Sequence, residues 1–509
     1  MIWIDFALLW YASIRTCLNR CEWALKWEKL ALAFLFALGL KSLLLFFLIR
    51  LGIKPSVSIQ VSFSILILIF TLFLPARASF EEEPTGGRVL FSLTLLCVGG
   101  LFIFSMINAW FFPITQSDAI WYHIRGMTFF NEVRFDSDWV VPQLKQYSPF
   151  IPLLFAYLFS FEVGFLKIIF PLLYLCLNII FYSRVLSLTE NKKMACLFTM
   201  ILATTPYFWW HGVLPFLDMT TAVFYSTGIL YWYFWLQTEI LDKVPLLVST
   251  KAFGEGSSLN KNSSYAMVSG LLLGLAAWTR IEFLLYDLIP IFLTIFAYNR
   301  YQNGNTNPKS LGVFFIALLF FPSIWFLNLF TFEMDLLSQT EMVSGVCIFL
   351  WLLVLGLKFR KWKISEPSVL LALFVSVIGY FVLLLIVGIG PVPVWKKIII
   401  SLYRTSTVHI FYLFTPALAF YLFFEKLKDL SEVKKILGCF LILFLFTHLA
   451  IFTYANPKWS TLGEFIYATF IQPGNSVNLS DTRGMMSFYP VFIFFISSLS
   501  FVRQRLING

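Results

Sequence analysis

VLFSLTLLCVGGLFIFSMINAWFF (89–112) carries no charged side chain over its whole length and is followed by Pro113 and then by SDAIWYH (117–123). A helical span needs about 20 mostly apolar residues, so the first stretch reads as a transmembrane helix. The second puts a carboxylate, an imidazole and two interface-seeking aromatics where that span meets water. Asp118 in this position could serve as a general base for a reaction at the membrane boundary. Thr115-Gln-Ser-Asp118 has capping-box spacing, which predicts a short helix to about Phe130 with Asp118 in its first turn. The same residue also fits a purely structural role, capping the helix and complementing its dipole.

The rest of the chain repeats the apolar pattern. Of 509 residues, 59% are hydrophobic and 13% charged, with 60 Phe. A soluble domain carries about 25% charged residues, so the composition predicts an all-α polytopic membrane protein. Runs at 30–50, 56–75, 89–112, 163–183, 194–210, 216–236, 265–279, 283–298, 311–331, 342–358, 368–389, 409–424, 436–454 and 485–502 give about fourteen candidate crossings. The shorter run 148–160 reads as re-entrant or interfacial. The net charge of +10 is scattered between these runs. It therefore reads as topology signal and lipid contact and not as a nucleic-acid surface.

Arg15, Arg20, Lys26 and Lys29 place the N-terminal side in the cytosol, and the 113–147 loop then falls outside. Lys358, Arg360, Lys361 and Lys363 are inside, as are Lys426, Lys428, Lys434 and Lys435. The loop with Glu333, Asp335 and Glu341 is outside. Arg50 with Lys54, and Lys396 and Lys397 with Arg404, are basic residues placed outside against the rule. Residues 1–29 form a cytosolic or membrane-dipping segment without the features of a cleaved signal peptide. Residues 30–298 form the module with the outside loop 113–147, and residues 299–509 a second region with the outside loop 455–484. No soluble domain is expected after Arg505. The seven cysteines show neither a disulfide framework nor metal-site spacing. No Walker loop or dinucleotide fingerprint is present.

Further candidates lie near these boundaries. Asp136-Ser-Asp138 could share a divalent cation, or be a solvated pair beside Arg134 and Lys145. Asp218, at a span mouth after His211 and Pro215, is a functional candidate or a helix cap. His123 could bond a substrate or simply pack. Gly270 and Gly274 fit helix packing.

The run Asp118-Ala-Ile-Trp-Tyr122-His123 resembles the first extracytoplasmic loop of GT-C glycosyltransferases, nearest the protein O-mannosyltransferase and aminoarabinose transferase group. Tyr147-Ser-Pro149-Phe-Ile-Pro152 is similar to the aromatic-Pro opening of that family's next helix. Leu214-Pro-Phe-Leu-Asp218 and Gly270-Leu-Leu-Leu-Gly274-Leu-Ala-Ala-Trp-Thr279-Arg280 resemble later motifs, so the likeness covers roughly 89–298. The resemblance implies a GT-C type helical bundle with interfacial helices in the first extracytoplasmic loop. It implies transfer of a sugar from a polyprenyl phosphate to an acceptor hydroxyl on a glycan, lipid or protein, with inversion and with Asp118 as base. Tyr122, His123 and Asp218 would contact substrate, and Arg280 and Arg404 would neutralise the leaving phosphate. Snorkelling is the alternative for the outside cations. A divalent cation is needed by some relatives and not by others. The expected location is a bacterial inner membrane, with the site facing out. A transporter or flippase of lipid-linked saccharide, which would show paired halves, and a polymerase or ligase using loop 455–484, are the competing readings.

Overall fold

Apolar runs bounded by polar breaks become helices because, in a bilayer, a helix satisfies every backbone group within its own segment. The structure, a computed structural model, describes residues 1–15, 21, 23–73, 88–135, 148–241, 258–301, 308–332, 431–454, 485–499 and 502. Among them there is no strand. In chain order the helices are α1 (Ile2–Ser13), α2 (Lys26–Arg50), α3 (Val57–Leu72), α4 (Arg88–Phe111), α5 (Ser117–Asn131), α6 (Phe150–Ser160), α7 (Ile169–Thr189), α8 (Lys192–Thr204), α9 (Pro206–His211), α10 (Leu217–Leu241), α11 (Ser258–Thr279), α12 (Phe283–Tyr301), α13 (Pro308–Phe332), α14 (Glu432–Tyr454) and α15 (Tyr489–Ser497). Four helices among the described residues are long and apolar enough to cross a membrane, which points to a membrane protein. The expected spans 342–358, 368–389 and 409–424, and loop 455–484, lie outside the described residues.

Several boundaries differ from the sequence expectation: α10 runs on to Leu241 and α11 begins at Ser258, outside the expected 216–236 and 265–279, and two others have a clear local cause. The run 194–210 is broken: α8 ends at Thr204, and Thr205 takes φ −61° and ψ 112° before α9 begins at Pro206. A residue before proline is pushed out of the helical region, and proline brings no N–H to continue the ladder. The run 163–183 begins as a turn, Leu166–Ile168, and its helix continues to Thr189, where Glu190 closes it at φ 53°.

The described residues fall into two compact units, the first within Met1–Leu284, Asn307–Val343 and Ile496–Gly509, the second within Leu285–Thr306 and Ser344–Phe495. The first is organised around α2, whose buried charged residues include Glu28 and Lys41. Near its start, Glu28 meets Arg184 of α7, with Nε 2.5 Å from Oε1 and Nη2 donating to Oε2 at 2.6 Å. Tyr231 of α10 donates to Glu28 Oε1 at 2.6 Å, and Tyr265 of α11 accepts from Arg184 Nη1 at 3.3 Å. In the second half of α2, Lys41 meets Asp5 of α1 at 2.8 Å, both side chains fully buried. Ser64 of α3 and Tyr157 of α6 donate to the two Asp5 oxygens at 2.7 and 2.8 Å. The N-terminal segment therefore lies along α2 and α3, with Trp10 Nε1 donating to Leu30 O at 2.9 Å. At about 16 Å, the 11-residue α6 is too short to cross a bilayer. It is covered by protein along almost its whole length.

Gly270 and Gly274 serve packing. A Cβ at either would lie 2.5 Å from a carbonyl oxygen of α13, Phe314 O or Leu318 O. In the second unit, Tyr286 Oη lies 2.9 Å from His448 Nδ1, and the Phe444 ring stacks on both.

The charges make a direct test possible. Lys41→Met should destabilise the protein by about 3–5 kcal/mol, because it strands the Asp5 carboxylate. Adding Asp5→Leu should recover most of the loss. Denaturant unfolding in detergent micelles measures both. If the single variant unfolds at the wild-type midpoint, the pair does not hold the helices.

Candidate functional site

One end of the first unit collects the residues singled out in the sequence. It holds the C-terminal ends of α2, α4 and α11, the N-terminal ends of α7 and α10, and α5. Phe46 of α2 contacts Phe135 just beyond α5, with ring centroids 5.1 Å apart, and Lys54 lies 5.0 Å over the Phe130 ring. The Glu28–Arg184 pair marks the opposite end.

α5 is set on α6 at Gly126. A Cβ there would lie 2.5 Å from Phe155 Cβ and 2.9 Å from Pro152 O, so a larger residue would force the helices apart. The start of α5 differs from the capping-box expectation. Gln116, not Thr115, is the N-cap, and no side chain caps the first turn. The helix therefore begins one residue later than that motif requires, and Asp118 is the second helical residue instead of the third. It remains in the first turn, where unpaired N–H groups favour a carboxylate. Ala119 beside it is fully buried in a cluster with Val213, Leu214 and Phe216, against which Ile114 packs. That contact brings the Asp118 turn against the loop leading to Asp218.

Tyr122 follows Asp118 by four residues, so the two share one face of α5. His123 is turned about 140° from Asp118 around the helix. Its ring meets Phe155 and Phe159 edge-on, at 5.9 and 5.1 Å. Burial holds the imidazole below its ordinary pKa, because the charged form loses hydration.

Asp218 lies in the first turn of α10 and pairs with Arg280, which directly follows α11, at 2.8 Å from Nη1 to Oδ1. Arg280 Nε lies 3.4 Å from Glu282 Oε2. The guanidinium bridges two carboxylates. Arg280 is thus held in place by Asp218 and Glu282. His211 Nδ1 lies 2.8 Å from Tyr207 O, and its ring is 6.1 Å from Phe216.

Asp136, Asp138 and Arg404 lie outside the described residues. Among the described residues, no group of three or more His, Cys, Asp or Glu is placed to hold a metal. Sequence reasoning passed over Lys167, which donates from Nζ to Asn108 Oδ1 at 2.9 Å at this same end. The signal was a lysine and an asparagine near facing ends of two apolar runs. No family model, curated protein or solved structure matches this chain.

The His123 environment sets a pH dependence. Above the ordinary value of 6.5 the ring is neutral in both folded and unfolded states. As pH falls through 6.5 the unfolded state takes the proton first, so stability is lost until the folded pKa is passed. His123→Phe should therefore lose less thermal stability than wild type between pH 7.5 and pH 5. Equal losses in melting experiments would show that His123 is not desolvated.

Proposed function

We propose that this chain is a GT-C type membrane glycosyltransferase that moves a sugar from a polyprenyl phosphate to an acceptor hydroxyl on the extracytoplasmic face. The sequence resemblance supports this reading. The observation that carries it is the placement of Asp118. Its carboxylate lies in the first turn of a short helix at the end of the bundle, half-buried, with Ala119 packed on the loop that leads to the Asp218–Arg280 pair.

In this mechanism Asp118 takes the proton of the acceptor hydroxyl. The acceptor oxygen bonds to the anomeric carbon as the bond from that carbon to the phosphate oxygen breaks. The bonding electrons leave with the phosphate, and the anomeric centre inverts. Tyr122 shares the Asp118 face and is placed to touch the same substrate. Asp218 would contact the substrate, and Arg280, bridged by Asp218 and Glu282, would face the leaving phosphate. His123 packs among rings and supports α5.

Asp118→Asn should lower transfer by roughly 10²–10⁴-fold, the usual contribution of a general base. Expression and binding of the lipid carrier should remain. Product formation from a polyprenyl-phosphate sugar in proteoliposomes measures it. Transfer at the wild-type rate would remove Asp118 from the mechanism, and movement of labelled lipid-linked sugar without product would mark a transporter. The orientation has its own test at Asn131, an exposed residue. Asn131→Cys should label with an impermeant thiol reagent on intact cells, above the background of the native cysteines. Labelling only after lysis would put α5 on the cytosolic side.

A further inference from the structure

Several cations of the first unit are matched by carboxylates: the buried Lys41 by Asp5, the buried Arg184 by Glu28 and the partly exposed Arg280 by Asp218. Lys167 is different. It is only 5% exposed, and its Nζ donates to the neutral Oδ1 of Asn108, 2.9 Å away. Among the described residues, no carboxylate lies within ion-pair distance of it. An ammonium placed this way has given up part of its hydration without gaining a countercharge. It has three donors, and Asn108 takes one.

The surroundings indicate the missing partner. The Phe165 ring, two residues before Lys167, stacks on Trp110 at 4.1 Å and on Trp3 at 6.4 Å. Trp110 lies two residues beyond Asn108 and is 53% exposed; Trp3 is 57% exposed. Phe111 and Phe112 continue this bare aromatic rim. Half-exposed aromatics in a ring at one end of an apolar bundle mark the depth of lipid headgroups. The abundant anion at that depth is phosphate.

We propose that Lys167 and Asn108 hold the phosphate group of a membrane lipid, with the Trp3–Phe165–Trp110 stack packed on its chain. The ammonium supplies a point charge to the phosphate. The amide of Asn108, whose oxygen already faces Lys167, has its N–H groups left to donate to a phosphate oxygen. This inference concerns binding alone and does not need the transfer reaction.

The test uses the full chain in micelles of a phosphate-free maltoside detergent. It is titrated separately with undecaprenyl phosphate, phosphatidylglycerol and inorganic phosphate. Wild type should bind at least one of the two lipids saturably. Lys167→Met should weaken that binding roughly 10- to 100-fold, the value of a charge-assisted hydrogen bond. Asn108→Asp should weaken it comparably while keeping the fold, because it supplies Lys167 with an internal carboxylate. A preference for undecaprenyl phosphate would assign the site to a lipid carrier, and equal binding of phosphatidylglycerol to bulk lipid. Wild-type affinity in both variants, no lipid binding by wild type, or binding of inorganic phosphate alone would overturn the proposal.

Discussion

Two charges on α2 organise the first unit. A helix of this length and apolarity would be stable in lipid with no charge at all. It carries a buried glutamate near one end and a buried lysine in its second half, each closed by a partner from another helix. An isolated charge in a low-dielectric interior is far too costly to leave unmatched. The partners are therefore not interchangeable: α1 must bring Asp5 to Lys41, and α7 must bring Arg184 to Glu28. Apolar packing alone would permit many helix orders. These pairs, with the tyrosine hydroxyls that complete them, select among them.

The candidate site inherits its position from these pairs. Tyr157 ties α6 to the Asp5–Lys41 pair, and α6 carries α5 at the Gly126 crossing. Asp118 is thus referred back to the second half of α2. Tyr231 ties α10 to Glu28, and Tyr265 ties α11 to Arg184. Asp218 lies 13 residues before Tyr231, about 20 Å along α10. The Asp218–Arg280 pair closes the other ends of the same two helices. The Ala119 cluster then joins the two halves. The geometry of one end of the bundle rests partly on an ion pair at the other.

Much of the helix plan was legible. Runs of apolar residues set α2, α3, α4, α10 and α13 to within a few residues, since backbone satisfaction in lipid leaves little choice. Breaks were less legible where a single residue decided them, as at Pro206. Asp118 was visible because a carboxylate beside aromatics at the end of a span is unusual. Asp5 was not, because one acid in an apolar N-terminal run says nothing of the lysine that will meet it. The Asp218–Arg280 pair was missed for a related reason. Each residue looked like a separate site, and only their approach across 62 positions shows that the guanidinium is shared with carboxylates.

The sequence by itself determined that the chain is helical and membrane-adapted, where most helices begin and end, and that a carboxylate stands at a span boundary. Those properties follow from local composition and from the rule that backbone polar groups must be satisfied nearby. Tertiary structure alone decided which charges neutralise one another and that Lys167 meets the neutral Asn108. Electrostatic pairing depends on distance in space, and side chains far apart along the chain carry no mark of it.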